Sequence, residues 1–348
     1  MTENKLHIAI IADPEIPIPP VHYGGIERII HGLIGELKRE GHLTSLFAHP
    51  DSLSPADHFY PYRGDGQGTG DILRNTFRVS RLLWRRPDII HSFGRLAYLS
   101  PLLPLRVPKV MSYQREPTIR QIRRAAAIAA RGSLVFTGCS DYISRQIAPY
   151  APAATVYNAV PLDAFRFRED PGTDAPLVFL GRIEPIKGTH LAIQAALACG
   201  RKLVIAGNVP DYGRAYFDRE VAPYLHAGRV EYAGPVDDRQ KDDLLGSAAA
   251  LLMPVQWNEP FGIVMAEALA CGTPVIALKG GATTEVVIHG VNGFLCDTVA
   301  DMASAVGRLD TIARAACRMD AERRFSSAVI AADYMRIYRK IMNRAVLA

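Results

Sequence analysis

Short runs of apolar, mostly β-branched residues alternate along the chain with segments in which apolar residues recur every three or four positions. Candidate strands in the first half are residues 6–12, 42–48, 87–93, 108–113, 133–140 and 154–160. Candidate strands in the second half are residues 175–181, 202–207, 229–234, 250–255 and 274–278. Strands that are apolar almost throughout are typical of parallel sheets covered on both faces. The pattern therefore predicts an α/β protein with two parallel sheets.

The segments between these strands have the period of helices. Between the first two strands, an apolar stripe comprises Ile26, Ile29, Ile30, Leu33, Ile34 and Leu37. Strands that alternate with helices predict two doubly wound, Rossmann-like domains, residues 1–160 and 177–326. Residues 161–176 carry prolines, a glycine and charges without periodicity, and we interpret them as the linker. Ligands of such sheets bind beyond the carboxyl ends of the strands, so we expect the site in a cleft across which the two domains face each other.

Composition agrees with a globular α/β protein and excludes several classes of protein. The 348 residues are 49% hydrophobic and 22% charged, which is typical of globular domains. No apolar run approaches the roughly 18 residues of a membrane-spanning helix. The first run leads directly into Asp13, Pro14 and Glu15, which indicates a buried strand rather than a secretion signal, and we expect a cytoplasmic protein. The five cysteines lack the paired spacing of zinc or redox sites.

The net charge of +5 is concentrated in the first half of the chain. Residues 74–131 contain 13 basic and two acidic residues. On a helix through residues 72–85, one basic stripe comprises Arg74, Arg78, Arg81 and Arg85, and a second cluster comprises Arg120, Arg123 and Arg124. This basic face is either simply solvated or contacts an anionic membrane or an anionic acceptor. No nucleic-acid-binding module accompanies it, so we expect no nucleic-acid partner.

Two acidic residues follow the candidate strand 250–255. Glu259 and Glu267 would lie about 12 Å apart along a helix, which is wider than the carboxylate pair of a glycosidase and suits two ends of one long ligand. Pro260 and Gly262 are typical of a strand-to-helix turn, where free backbone N–H groups favour an anion. Alternatively, Glu259 stabilises the helix dipole and Glu267 is a solvated helix residue.

Two cations follow the candidate strand 175–181. Arg182 and Lys187 lie in the segment GRIEPIKG, and an arginine with a lysine on a glycine-bounded loop suits a diphosphate. The alternative is an ordinary surface salt bridge to Glu184 or Asp174. Near the N-terminus, Gly24 and Gly25 in YGGIE precede the first helix. Glycines there either allow a ligand to approach the backbone or only begin the helix.

Together, the segments YGGIE, GRIEPIKG, AGPVDDRQK and EPFGIVMAEALACGTPVIA resemble the family 4 retaining glycosyltransferases of GT-B architecture, in particular the avilamycin-type branch. The resemblance extends from residue 6 to about residue 296. It implies an N-terminal acceptor-binding domain, a C-terminal nucleotide-sugar-binding domain, and a last helix, residues 327–348, that crosses back to the first domain.

The resemblance also implies roles for individual residues. Gly25 is expected to offer its backbone N–H to the β-phosphate of the donor, while Arg182 and Lys187 neutralise the diphosphate. Glu259 is expected to hold hydroxyls of the transferred sugar. The further donor-binding residues are Gly24, Gln114 and the backbone of Phe261, Gly262 and Ile263. Val236 is expected near the base, with Lys241 close by, and Glu267 is expected to hold the ribose hydroxyls.

One position departs from the pattern of many relatives. Gln114 stands where they have a histidine that touches the donor sugar; a glutamine forms hydrogen bonds but cannot titrate. His91, at the end of the candidate strand 87–93, either points into the cleft or is a structural histidine.

We therefore expect transfer of a sugar, with retention, from a UDP- or GDP-type donor to a hydroxyl of a saccharide or lipid-linked saccharide. A leaving phosphate oxygen can accept the proton, so the mechanism needs no metal and no further cofactor. Peripheral contact with the inner face of an anionic membrane is compatible with the basic face. The alternatives are a catalytically degenerate subunit that only binds a nucleotide sugar or a partner, and a sugar-nucleotide epimerase.

Overall fold

The computed structural model describes residues 5–20, 24–64, 68–84 and 87–347. These residues form two compact units. The first contains the described residues up to Ala159 together with those from Ser327 onward, and the second contains Val160–Ser326. By this division, residues 161–176 belong to the second unit. Tyr23 of the YGGIE segment and Arg85 of the basic stripe lie outside the described residues.

The first unit is built on a seven-stranded parallel sheet. Its strands are β1 (His7–Ile11), β2 (Leu43–Ala48), β3 (His58–Pro61), β4 (Ile89–Ser92), β5 (Lys109–Tyr113), β6 (Leu134–Gly138) and β7 (Ala153–Thr155). They lie in the order β3-β2-β1-β4-β5-β6-β7, and every pairing is parallel. The order reverses at β1, which therefore marks the topological switch point of this sheet. The helices of the unit are α1 (Gly25–Arg39), α2 (Thr69–Leu83), α3 (Ile119–Ile128), α4 (Asp141–Ile147) and α12 (Ser327–Leu347).

The second unit has a six-stranded parallel sheet. Its strands are β8 (Leu177–Leu180), β9 (Leu203–Ala206), β10 (Val230–Gly234), β11 (Ala250–Met253), β12 (Val275–Leu278) and β13 (Gly293–Cys296), in the order β10-β9-β8-β11-β12-β13. Here the order reverses at β8. The helices are α5 (Thr189–Ala198), α6 (Arg214–Glu220), α7 (Asp238–Gly246), α8 (Ile263–Ala270), α9 (Thr283–Val286), α10 (Val299–Val306) and α11 (Arg314–Phe325). The predicted fold of two Rossmann-like domains is confirmed.

His91 on β4 is a structural residue rather than a ligand-binding one. Its ring is fully buried and its two nitrogens lie 2.6 Å from the Tyr338 hydroxyl and 2.7 Å from the Ser112 hydroxyl. Tyr338 and Tyr334 belong to α12, and both pack their rings around the imidazole. The last helix is therefore joined to the sheet of the first unit through hydroxyl–imidazole contacts.

Burial of His91 predicts a loss of stability in mild acid. Removal from solvent lowers the pKa of the imidazole from 6.5 to about 3. Between these values the unfolded chain binds a proton that the folded chain excludes, so the free energy of unfolding falls as pH falls below 6.5. We expect this one group to remove about 1.4 kcal/mol between pH 7.5 and pH 5.5. Urea unfolding at both pH values should show that His91→Gln has a correspondingly smaller decrease than the wild type; equal decreases would contradict the assignment.

Candidate functional site

The loops after β8 and β11 bring the predicted catalytic residues to the switch point of the second sheet. β8 pairs with β9 on one side and with β11 on the other. The loop after β8 carries Arg182 and Lys187, and the loop after β11 carries Glu259. Because the carboxyl ends of parallel strands share one edge, side chains separated by more than 70 positions can meet there.

Lys187 and Glu259 form a close ion pair. The Lys187 Nζ lies 2.6 Å from the Glu259 Oε2, and the Trp257 indole N–H donates to the same oxygen at 3.0 Å. The Lys187 side chain is 17% exposed and that of Glu259 8%. The ammonium also lies 4.9 Å from the centre of the Trp257 ring. Neither surface alternative for Lys187, a salt bridge to Glu184 or Asp174, is observed.

The backbone around Glu259 is fixed by glycine and by the start of α8. Gly262 precedes α8 in the left-handed conformation, with φ +73°. The Glu259 carbonyl accepts from the Ala282 N–H at 2.8 Å, and a Cβ at Gly281 would lie 2.4 Å from that carbonyl oxygen. The predicted strand-to-helix turn at Pro260 and Gly262 is thus present, and the first N–H groups of an eight-residue helix follow it.

Arg182 forms an ion pair with Glu184, which is one of the two interpretations that the sequence left open. Its Nη2 lies 2.9 Å from the Glu184 Oε1, and the Tyr212 hydroxyl donates to the other Glu184 oxygen at 2.8 Å. The Arg182 side chain nevertheless stays 36% exposed, whereas Glu184 is buried. The guanidinium therefore keeps a solvent-facing side beside its partner carboxylate.

Glu267 lies in the interior and not on a solvated helix face. It is 4% exposed, and its Oε1 accepts from the Lys241 Nζ at 2.5 Å. The alternative of a solvated Glu267 is therefore wrong, because Lys241 on α7 neutralises the carboxylate. Val236 is half-buried in the turn between β10 and α7. Phe261 is buried with its ring 5.6 Å from that of Phe325, while Ile263 begins α8.

The other predicted donor-binding residues lie in the first unit. Gly24 precedes α1 and Gly25 begins it. Gln114 follows β5, and its side chain lines a cavity within that unit. In the second unit the predicted residues lie in three local ion pairs, Arg182–Glu184, Lys187–Glu259 and Lys241–Glu267. Gly24, Gly25 and Gln114 belong to the first unit.

Sequence reasoning missed two aromatic residues of the site. Trp257 donates to Glu259, and Tyr212 donates to Glu184. Trp257 stands two positions before Glu259, and this proximity was the one available signal. Tyr212 belongs to a segment after β9 that carries no recognisable motif, so tertiary contact alone reveals it.

Two family models match successive parts of the chain. "Glycosyltransferase Family 4" matches residues 23–164, and "Glycosyl transferases group 1" matches residues 163–327. The chain belongs to glycosyltransferase family 4. Its two parallel sheets are those of the GT-B fold, so the predicted fold family is confirmed.

Known relatives of this family 4 chain agree with that assignment. A D-inositol 3-phosphate glycosyltransferase of Xylanimonas cellulosilytica is 34% identical over 197 residues, 52% of this chain and 46% of the relative. The chain thus aligns with less than half of that protein. The crystal structure of AviGT4, involved in avilamycin A biosynthesis, is 25% identical, covers 97% of this chain and 98% of its own, and has a TM-score of 0.70. Anabaena HepE in complex with UDP-glucose shares the fold at 19% identity and a TM-score of 0.72, with 96% and 99% covered.

The described residues contain neither a membrane-spanning helix nor a metal-binding cluster. None of their helices combines the length and apolar character that a transmembrane span requires. Among the same residues, no group of three or more histidine, cysteine, aspartate or glutamate side chains has the arrangement of a metal site.

Proposed function

We propose that this family 4 enzyme transfers a sugar, with retention of anomeric configuration, from a nucleoside diphosphate sugar to an acceptor hydroxyl. The observation that supports this most is the partly buried Lys187–Glu259 pair beside the start of α8. A cation and free helix N–H groups suit a diphosphate, and an adjacent carboxylate suits sugar hydroxyls.

In the proposed reaction, the bond between the anomeric carbon and the β-phosphate oxygen breaks, and its electron pair stays on the diphosphate. Lys187, Arg182 and the start of α8 stabilise this developing negative charge. The acceptor oxygen forms the new glycosidic bond on the same face. Its proton passes to the leaving phosphate oxygen, so no protein base and no metal ion is required.

The remaining residues are proposed to orient the donor. Glu259, with the backbone of residues 261–263, holds sugar hydroxyls; Glu267 holds the ribose hydroxyls; the base lies near Val236. Lys241 already neutralises Glu267 at 2.5 Å, so this carboxylate is held in one place before a ligand arrives. Gln114, in the first unit, is proposed to hydrogen-bond the donor sugar, and the first unit to supply the acceptor site.

Stereochemistry and metal independence can be tested together. UDP-glucose is the first donor to be tested, because Anabaena HepE forms a complex with it, and GDP-mannose is the second. Proton NMR of the anomeric signal, with EDTA present, should show a product formed by transfer or slow hydrolysis with the α-configuration of the donor. A β-product would contradict retention, and activity that requires added metal would contradict the mechanism. Nucleotide binding without any turnover would support the degenerate-subunit alternative.

The variant Gly25→Ala tests whether Gly25 is needed for donor binding or only begins helix α1. A Cβ at Gly25 would meet nothing within 4 Å in the first unit, whereas a Cβ at Gly24 would lie 2.6 Å from Pro20. If the donor phosphate approaches the Gly25 backbone, the added methyl should lower kcat/KM about 10- to 100-fold and leave the unfolding midpoint unchanged. The control Gly35→Ala, also on α1 with nothing within 4 Å, should leave kcat/KM unchanged and raise the unfolding midpoint slightly, because alanine is favoured over glycine inside a helix by about 0.5–1 kcal/mol. Normal kcat/KM in Gly25→Ala would remove this residue from the donor site.

We also propose that the protein is cytoplasmic and that α2 contacts an anionic membrane surface. On this helix Leu73 is 65% exposed and Phe77 70% exposed, next to Arg74 and Arg78. Apolar side chains beside a basic stripe suit the interface of an anionic bilayer.

If α2 contacts the membrane, replacing its exposed apolar side chains should weaken binding to anionic vesicles. In co-sedimentation with phosphatidylglycerol–phosphatidylcholine vesicles, Leu73→Ser/Phe77→Ser should reduce the partition coefficient at least about tenfold, since each large side chain contributes roughly 1.5–3 kcal/mol when fully buried. Leu53→Ser, at an 85% exposed position elsewhere, should not change it. Equal binding by all three proteins would contradict the proposed contact.

A further inference from the structure

The loop after β8 contains an acidic residue that has no part in the proposed reaction. Glu184 lies two positions after Arg182 and is 5% exposed. Its Oε1 lies 2.9 Å from the Arg182 Nη2, yet this oxygen accepts no hydrogen bond from the described residues. Burial of a carboxylate costs free energy that a partly exposed cation does not fully offset. Stability alone therefore does not explain an acidic residue at this position.

The segment after β9 fixes the carboxylate beside the guanidinium. The Tyr212 hydroxyl donates to the Glu184 Oε2 at 2.8 Å and accepts from the Arg182 Nη1 at 3.4 Å. The same segment packs closely on the loop after β8, because a Cβ at Gly213 would lie 2.7 Å from the Ile183 carbonyl oxygen. The negative charge of Glu184 is thus held at a fixed place next to the positive charge of Arg182.

In the proposed donor site, the two cations are matched by two carboxylates. Arg182 pairs with Glu184, and Lys187 pairs with Glu259 at 2.6 Å. The charges of these four side chains cancel, which reduces the net attraction that the two loops exert on an anion. Glu259 is also proposed to hold sugar hydroxyls, whereas Glu184 is buried behind Arg182 in charge terms only. The charge balance is therefore what Glu184 adds to the site.

The proposed reaction changes the charge of the ligand. In the donor, the β-phosphate is esterified to the sugar and carries a charge of about −1; after transfer it is a terminal phosphate with a charge of about −1.5 to −2 at neutral pH. The product is therefore more negative than the donor. A site with surplus positive charge would bind the product more tightly than the donor and release it slowly.

We infer that Glu184 is a positioning residue that balances the charge of Arg182 and thereby keeps the nucleoside diphosphate product from binding more tightly than the donor. This inference rests on the proposed function and adds product release to it. Glu184 acts through Arg182 and needs no contact with the ligand. Tyr212 supports this role by holding the carboxylate in place.

Glu184→Gln removes the charge and keeps the shape of the side chain. UDP, GDP, ADP and TDP are titrated by calorimetry into the wild type and this variant. We expect the diphosphate that binds to gain affinity about tenfold in the variant, and this gain to shrink as sodium chloride is raised. The corresponding nucleoside should bind equally to both proteins. Unchanged or weaker diphosphate binding in the variant would indicate a merely structural role and overturn the inference.

The wild type provides a second measurement that does not depend on the variant. The β-methyl ester of the same diphosphate has the charge of the donor and no sugar. Wild-type protein should bind the diphosphate and its ester with similar affinity, whereas Glu184→Gln should prefer the diphosphate. In turnover, the inhibition constant of the diphosphate should fall relative to the KM of the donor. A wild type that strongly prefers the diphosphate would contradict the charge balance.

Three matched variants separate charge from geometry. Tyr212→Phe removes the hydroxyl that holds the carboxylate and changes no charge, so diphosphate affinity should not rise. Glu184→Asp keeps the charge and should resemble the wild type. Glu322→Gln removes the carboxylate of a 2.6 Å ion pair with Arg318 on α11 and should leave the affinity unchanged. A rise in any of the three would show that the gain does not come from the charge beside Arg182.

Failure of this inference differs from failure of the proposed function. If the wild type binds a diphosphate and Glu184→Gln binds it no more tightly, the proposed function stands and the role of Glu184 is rejected. If the wild type binds none of the four diphosphates, the proposed function and this inference are both rejected.

Discussion

Lys187→Ala is expected to lower sugar transfer by about 10²- to 10³-fold, because it removes a preorganised cation from the diphosphate that leaves in the reaction. Arg182→Ala should cause a loss in the same range. The measurement is kcat/KM with the donor that the enzyme turns over, well below the unfolding temperature. Near-normal turnover in both variants would contradict the proposed site.

A loss of activity in Lys187→Ala must be separated from a loss of stability. The variant leaves the Glu259 carboxylate buried without its cation, which destabilises the fold. Adding Glu259→Gln removes the unpaired charge, so the double variant should regain stability without regaining transfer. The control Lys279→Ala breaks a 2.8 Å ion pair with Asp297 at the surface and should leave transfer unchanged.

The largest expected effect on stability comes from Gly207→Ala. Gly207 follows β9 with φ +137°, and an added Cβ would lie 1.8 Å from the Gly181 carbonyl oxygen. That oxygen is a backbone atom, so no side-chain rotation can move it away from the added Cβ. We expect the free energy of unfolding to fall by roughly 3 kcal/mol or more. Gly181 directly precedes Arg182, so nucleotide binding should weaken as well.

Gly228→Ala provides the matched control for Gly207→Ala. Gly228 also has a positive φ, +71°, but a Cβ there would meet nothing within 4 Å. Only the conformational cost of about 1–2 kcal/mol remains. Urea unfolding of both variants should therefore separate close packing from backbone strain. Equal losses would contradict the close approach of Gly207 to Gly181 at the end of β8.

The fold was predictable wherever strands are buried on both faces. β8, with the sequence LVFL, and β11, with ALLM, are apolar throughout, and their positions follow directly from the sequence. β3 and β13 were not predicted. β3 has the sequence HFYP, is partly exposed and lies at a sheet edge, so it lacks an apolar run. β13 is a four-residue edge strand that starts with glycine, and its apolar signal is too short to be recognised.

The sequence predicts which loops carry the candidate site residues, and it does not predict which partners their side chains meet. Arg182, Lys187 and Glu259 lie in the loops that follow β8 and β11, a position that the sequence reveals. Their partners depend on which loops the sheet order brings together: Lys187 meets Glu259 across 72 positions. Glu267 shows the same limit, because the solvated interpretation ignored Lys241, which α7 presents to it.

Nucleotide binding tests the central claim most directly. The free energy of unfolding is measured by urea with and without UDP, GDP, ADP and TDP, and with the corresponding nucleosides. We expect at least one diphosphate, at 100 times its dissociation constant, to stabilise the protein by about 2.7 kcal/mol, its nucleoside to stabilise it far less, and Lys187→Ala/Glu259→Gln to lose the difference. If no diphosphate stabilises the protein, or if the nucleosides act equally well, the edge of β8 and β11 is not a diphosphate site.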